Sequence, residues 1–188
     1  MSTITASKKE TLYFNTHQKS AFYYFIKSFR YIYNKKCRKD GRTLVLLCIG
    51  SDRATGDCLG PIVGHILHQY QKNFVVYGSL SNPVHAQNLN DTINSIYDTF
   101  DSPYIIALDA SLGIRQHIGY VTLGEGNLFP GSGVNKALPK VGDAYITGIV
   151  NVLGGNSHIT LQTTHLFPVM SLAEFIAKGI LEAINDND

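Results

Sequence analysis

Three largely apolar stretches of strand length limit what this chain can become: residues 43–49 (TLVLLCI), 104–108 (YIIAL) and the β-branched 144–152 (AYITGIVNV). Such runs lack the alternation of a strand with one wet face and suit strands covered on both sides, as in a parallel sheet between helices. Shorter runs at 74–78 and 119–123 read as two further strands. Between them lie segments of helical period. Residues 18–36 place Phe22, Phe25, Ile26, Phe29, Ile32 and Tyr33 three and four apart, opposite a basic face. A helix is expected from about residue 61 to 71. Another spans 88–99, with Leu89, Ile93, Ile96 and Tyr97 inward. The last runs from about 164 to 184, with Leu172, Phe175, Ile176, Ile180 and Ile184 on one face and Pro168 in its first turns. Residues 1–17 are polar and expected to fray, and the Gly- and Pro-bearing stretch 124–142 reads as a long loop. The pattern predicts an α/β fold, a three-layer α/β/α sandwich with a mostly parallel central sheet. It divides the chain into an N-terminal tail with an amphipathic aromatic and basic helix (1–40) and an α/β domain (41–188).

Charge and cysteine usage narrow the function classes. Sixteen Lys and Arg against fourteen Asp and Glu give a net charge of +2, and much of the positive charge lies in the first 42 residues. Generic nucleic-acid binding by the whole domain is therefore not expected. The basic helix at 18–36 reads as packed on the domain edge, with membrane-surface or partner docking as the alternative. Three cysteines without a C-x-x-C pair argue against a disulfide scaffold and a structural zinc site, and fit a reducing cytoplasm. No secretory signal and no membrane span are expected.

In open α/β sheets, sites form beyond the carboxyl ends of the strands. The run at 43–49 leads into Asp52, Arg53 and Asp57, the run at 74–78 into His85, and the run at 104–108 into Asp109. On a parallel sheet these residues share one edge. Asp57 precedes a helix and reads equally well as its N-cap. Asp109 closes a buried strand, where an unpaired charge is costly and needs a partner or a function. Two carboxylates on one edge can hold one proton between them, one accepting and the other donating, as hydrolysis of an amide requires. His85 is the best placed of seven histidines, with His165 a lesser candidate and His65 and His68 on a helix. Gly131, Ser132 and Gly133 read as a plain loop or as an anion- or peptide-binding turn. Nucleotide-loop and serine-elbow motifs are absent.

Residues 49–64 (IGSDRATGDCLGPIVG) resemble those of the YyaC-type sporulation proteins, which are related to the spore germination protease and, more distantly, to the hydrogenase maturation proteases. Residues 82–89 (NPVHAQNL), 105–111 (IIALDAS) and 130–136 (PGSGVNK) extend the resemblance in order, over about 43–184, with the first 40 residues outside it. It implies a phosphorylase/hydrolase-like three-layer domain in which Asp57 and Asp109 match the catalytic aspartates of the germination protease. Pro130 to Val134 match a further segment of that protease. Arg53, His85, Ser111, Gly131, Ser132, Gly133 and Lys136 then become substrate-binding or auxiliary candidates. A maturation-protease metal histidine has no match, so no cofactor is expected, and a divalent metal on Asp57, Asp109 and His85 is the weaker alternative. The implied setting is the cytoplasm of a sporulating bacterium, with peptide or protein substrates, small acid-soluble spore proteins among them. A homodimer is the default assembly.

Three readings follow. An aspartate-dependent peptidase requires Asp57 and Asp109 together in a cleft with at least one raised pKa. A non-catalytic relative that binds a peptide or a sporulation partner requires Asp57 capping its helix and Asp109 tied into structural hydrogen bonds, with no open cleft. Metal-dependent recognition requires Asp57, Asp109 and His85 to converge as ligands.

Overall fold

The computed structural model describes residues 10–70, 73–131 and 138–185. Its six-stranded sheet has the order β1-β5-β6-β4-β2-β3. The strands are β1 (Thr11–Asn15), β2 (Leu44–Cys48), β3 (Val75–Tyr77), β4 (Tyr104–Gly113), β5 (Tyr120–Glu125) and β6 (Ala144–Val152). β3, β2, β4 and β6 run parallel, while β5 and β1 complete the sheet antiparallel. The helices are α1 (Lys19–Tyr33), α2 (Leu59–Leu67), α3 (Leu89–Thr99), α4 (Ser157–Gln162) and α5 (Leu166–Ile184). The fold is an α/β sheet, mixed but mostly parallel and flanked by helices, as the apolar runs require.

Every residue of β2 is buried, as a strand covered on both faces must be. The two sheet faces feed two cores. Ile106, Leu108, Val121, Leu123, Ala144, Ile146 and Val150 pack with α1, α2 and α5. Val45, Leu47, Ile105 and Ala107 pack with Leu89 and Ile96 of α3. Tyr97, expected to face inward, is 58% exposed instead: Leu89 and Ile96 are the buried residues of α3, with Ile93 packed half-buried beside them.

Residues 10–17 depart from the expected frayed tail. β1 pairs along β5 from Thr11↔Gly124 to Asn15↔Tyr120 and drops Phe14 onto Phe25 of α1, ring centroids 5.4 Å apart. α1 in turn buries Ala21, Phe25, Phe29, Ile32 and Tyr33. Arg30 fastens it to the end of α5 by donating to the carbonyls of Glu182 (2.8 Å) and Ala183 (3.2 Å). The π-helical turn Asn34–Arg38 then leads to β2.

β2 has β3 on one side and β4 on the other, so successive crossovers leave it in opposite directions. The crevice at the carboxyl ends of β2 and β4 is the switch point where open α/β sheets place ligands. β4 does not end at Asp109. It continues to Gly113 alongside β6, with a register irregularity at Ser111/Leu112. The short polar tail of that strand is paired by its neighbour rather than by its own hydrophobicity.

Candidate active site

The loop leaving β2 is shaped by close packing. A Cβ on Gly60 would run into the Ile49 carbonyl oxygen, so α2 can cross the end of β2 only with glycine there. The Ser51 N–H donates to the Asp57 carbonyl (3.1 Å) and the Asp57 N–H to the Ala54 carbonyl (2.9 Å), folding residues 51–57 onto themselves. Asp57 therefore sits in the 3₁₀ turn Thr55–Cys58 immediately before α2. Its side chain caps neither this turn nor α2, so the capping role open in the sequence is not the one it takes.

Asp109 lies on β4 opposite Thr147 of β6 and is 8% exposed. Its Oδ1 accepts the Ala110 N–H at 2.8 Å, and the Gly131 backbone supplies a second hydrogen bond. Asp57 and Asp109 line one cleft of about 380 Å³, together with Arg53, His85 and Gly131. Its walls add Ile49, Ala54, Leu138 and Leu161 as apolar surface and Gln87, His158 and Gln162 as polar groups.

The two carboxyls sit in unequal environments. Burial raises the pKa of Asp57 above its ordinary value, opposed by the Ser51 backbone hydrogen bond and by nearby His85 and His158. Burial raises Asp109 well above its ordinary value, the Asp57 charge raises it further, and the Ala110 and Gly131 hydrogen bonds oppose both. Of the two, Asp109 is the one disposed to hold a proton while Asp57 is ionised.

His85 is set by its own turn. Its N–H donates to Asn88 Oδ1 (2.8 Å) and its Nδ1 accepts the Gln87 N–H (3.3 Å), leaving Nε2 for a ligand. Ser111 is not brought into the cleft: its hydroxyl donates to Thr147 Oγ1 (3.1 Å), within the sheet. Ser132, Gly133 and Lys136 lie outside the described residues. His165 stands at the exposed N-cap position of α5, away from the cleft lining, and His65 and His68 are exposed. Among the described residues, no three His, Cys, Asp or Glu side chains form a group that could hold a metal ion.

The unanticipated wall is α4. Asn156 caps it, its Oδ1 accepting the N–H groups of His158 (3.0 Å) and Ile159 (3.3 Å). Leu161 then packs on Gly56, where an added Cβ would lie 2.8 Å from Cδ2 and 3.0 Å from Cα. The signal was present: Gly154-Gly155-Asn156 is a turn with an N-cap residue, followed by Ile159 and Leu161.

The family model described as "Protein of unknown function (DUF1256)" matches residues 13–179. The chain belongs to this family. Its matched region starts before α1, whereas the motif resemblance covers only about 43–184, so the N-terminal helix is part of what the family shares. A curated relative, "Uncharacterized protein YyaC" of Bacillus subtilis (strain 168), is 50% identical over 141 residues, covering 74% of this chain and 69% of the relative. Among solved structures, the [NiFe] hydrogenase maturation protease HycI from Thermococcus kodakarensis KOD1 aligns at a TM-score of 0.48 and 16% identity. That alignment covers 82% of this chain and 99% of that one. A hydrogenase 3 maturation protease aligns at a TM-score of 0.44 and 18% identity, over 73% and 88% of the two chains.

Proposed function

We propose that this protein is an aspartate-dependent peptidase in which Asp57 and Asp109 share the general acid–base work. The observation that carries the reading is the pairing of two carboxyls in one cleft, both raised in pKa and one raised by the other's charge. Structural carboxylates are ordinarily held in the charged form by cations or caps, and Asp57 serves as no cap. In the proposed reaction, ionised Asp57 takes a proton from a water molecule, whose oxygen attacks the amide carbonyl carbon. Protonated Asp109 then delivers its proton to the leaving nitrogen as the C–N bond breaks. In this reading Nε2 of His85, left open by its own turn, orients the carbonyl, while the Gly131 backbone holds the Asp109 carboxyl. The setting in a sporulating cell, and small acid-soluble spore proteins as substrates, belong to this proposal through the motif resemblance.

The test is cleavage of a small acid-soluble spore-protein preparation across pH by wild type, Asp57→Asn and Asp109→Asn. General acid–base groups contribute about 10²–10⁴-fold, and each variant is expected to lose that much in kcat while keeping its fold. The wild-type profile is bell-shaped, with both limbs above the ordinary carboxylate range because burial raises both groups. Cleavage that survives both substitutions would sink the mechanism. The second reading, a non-catalytic binding protein, draws on the Ala110 N–H held by Asp109. It predicts a wild type that binds peptide and cleaves none.

A further inference from the structure

Both backbone polar groups of His85 are held by the same residue. The His85 N–H donates to Asn88 Oδ1 (2.8 Å), and the His85 carbonyl accepts the Asn88 N–H (3.1 Å). Asn88 Nδ2 donates back to the Pro83 carbonyl (3.0 Å), so this side chain closes the turn 83–88. The other side of the turn is latched as well. Val84 bridges Ile49, and its carbonyl accepts the Gly50 N–H (2.8 Å) where the Asp57 loop begins. Asn88 stands at the N-cap position of α3, where Asn is among the strongest capping residues, yet its side chain makes no capping bond. It serves the His85 turn instead of the helix.

The same turn sets the imidazole. Nδ1 accepts the Gln87 N–H (3.3 Å), so in the neutral ring the hydrogen sits on Nε2. Nε2 is then a donor in the cleft that His85 lines with Asp57, Asp109, Arg53 and His158. A charged ring would favour the ionised form of Asp57, but both its nitrogens would carry hydrogen and the Gln87 N–H would lose its acceptor.

We propose that Asn88 is a positioning residue that holds His85 as a neutral Nε2–H donor, which polarises the carbonyl under attack and takes no proton from the water. The inference rests on the peptidase reading for what the donor meets, and it leaves proton abstraction to Asp57. As water oxygen bonds to the carbonyl carbon, the π electrons move onto the carbonyl oxygen. The hydrogen bond from Nε2 then strengthens without its proton being transferred.

The first test is independent of cleavage. In nitrogen-15-labelled protein at about pH 8, above the ordinary imidazole range, a long-range proton–nitrogen correlation spectrum reads which ring nitrogen carries hydrogen. The His85 signal, assigned as the one that His85→Gln removes, should show hydrogen on Nε2 only. Asn88→Ser supplies another strong cap for α3 but a shorter side chain. It should melt within a few degrees of wild type while its His85 signal moves toward a mixture of tautomers. Hydrogen on Nδ1, or an unchanged His85 signal in Asn88→Ser, overturns the proposal.

The second test uses a synthetic peptide that wild type cuts. Asn88→Ser should lose about 10²-fold in kcat with KM little changed, the scale of a misplaced group. His85→Gln sets an amide N–H near the place of Nε2 and should keep kcat within about tenfold of wild type. His85→Asn, whose amide falls nearer Nδ1, should lose about 10²–10³-fold. Equal loss in those two variants overturns the donor role, since neither amide can act as a base. A wild type that shows the Nε2 tautomer and cleaves nothing supports the Asn88–His85 arrangement and removes the peptidase reading alone.

Discussion

Asp109 is where site chemistry and fold stability pull against each other. Burial and the Asp57 charge raise its pKa, so the folded protein retains a proton that the unfolded chain releases as pH rises past about 4. The sign follows directly. The folded state binds more protons, so this residue makes stability fall with rising pH, and its cost is absent below the unfolded-state pKa. Asn at position 109 can still accept the Ala110 N–H but carries no titrating proton. Asp109→Asn is therefore expected to stabilise the protein at pH 7 by about 1–2 kcal/mol, the usual scale for relieving a functional site. That is roughly 2–8 °C in Tm for a chain of this size. The gain should shrink toward zero near pH 4. Thermal melts of the two proteins across that range check it, and a gain that grows toward acid pH contradicts the burial argument.

At the scale of elements, two glycines hold the site together. A methyl on Gly60 meets the Ile49 backbone, which no rotamer change relieves, so Gly60→Ala is expected to cost about 3 kcal/mol or more. A methyl on Gly56 meets Leu161 and pushes α4 away, so Gly56→Ala should cost about 1–3 kcal/mol and open the 153–163 connection to limited proteolysis. Urea melts and a protease time course separate the two. These contacts also show what the sequence could and could not reveal. β2 and β6 were legible because burial on both faces calls for largely apolar, β-branched stretches. Asp57, His85 and Asp109 were legible as neighbours because a parallel sheet gathers the residues that follow its strands. β1 was not, because TLYFN is a strand only against β5, and its single buried residue, Phe14, needs α1 as a partner. The tail of β4 past Asp109 is likewise set by pairing with β6 rather than by composition. α4 was hidden because six residues give too little periodicity to separate a helix from the long one that follows.

The whole molecule gives the N-terminal segment a different standing from that of an appendage. Phe25 is fully buried between Phe14 of β1, Phe29 of its own helix and Phe175 of α5, and its ring lies against Gly179. α5 in turn packs on α2, the helix whose entry turn holds Asp57, so the core runs without a break from the N-terminal helix to the site. A segment merely docked on a finished domain could loosen without disturbing that site. A segment that shares its core could not. Phe25→Ala should therefore cost about 3–5 kcal/mol, the range for deleting a buried aromatic, and lower Tm by roughly 10 °C in one transition. Differential scanning calorimetry distinguishes the cases. A single peak that shifts as a unit means the strand, the N-terminal helix and the cleft melt together. A new low-temperature peak, with peptide binding retained above it, would instead make residues 10–40 an independent cover whose loss leaves the Asp57–Asp109 cleft intact.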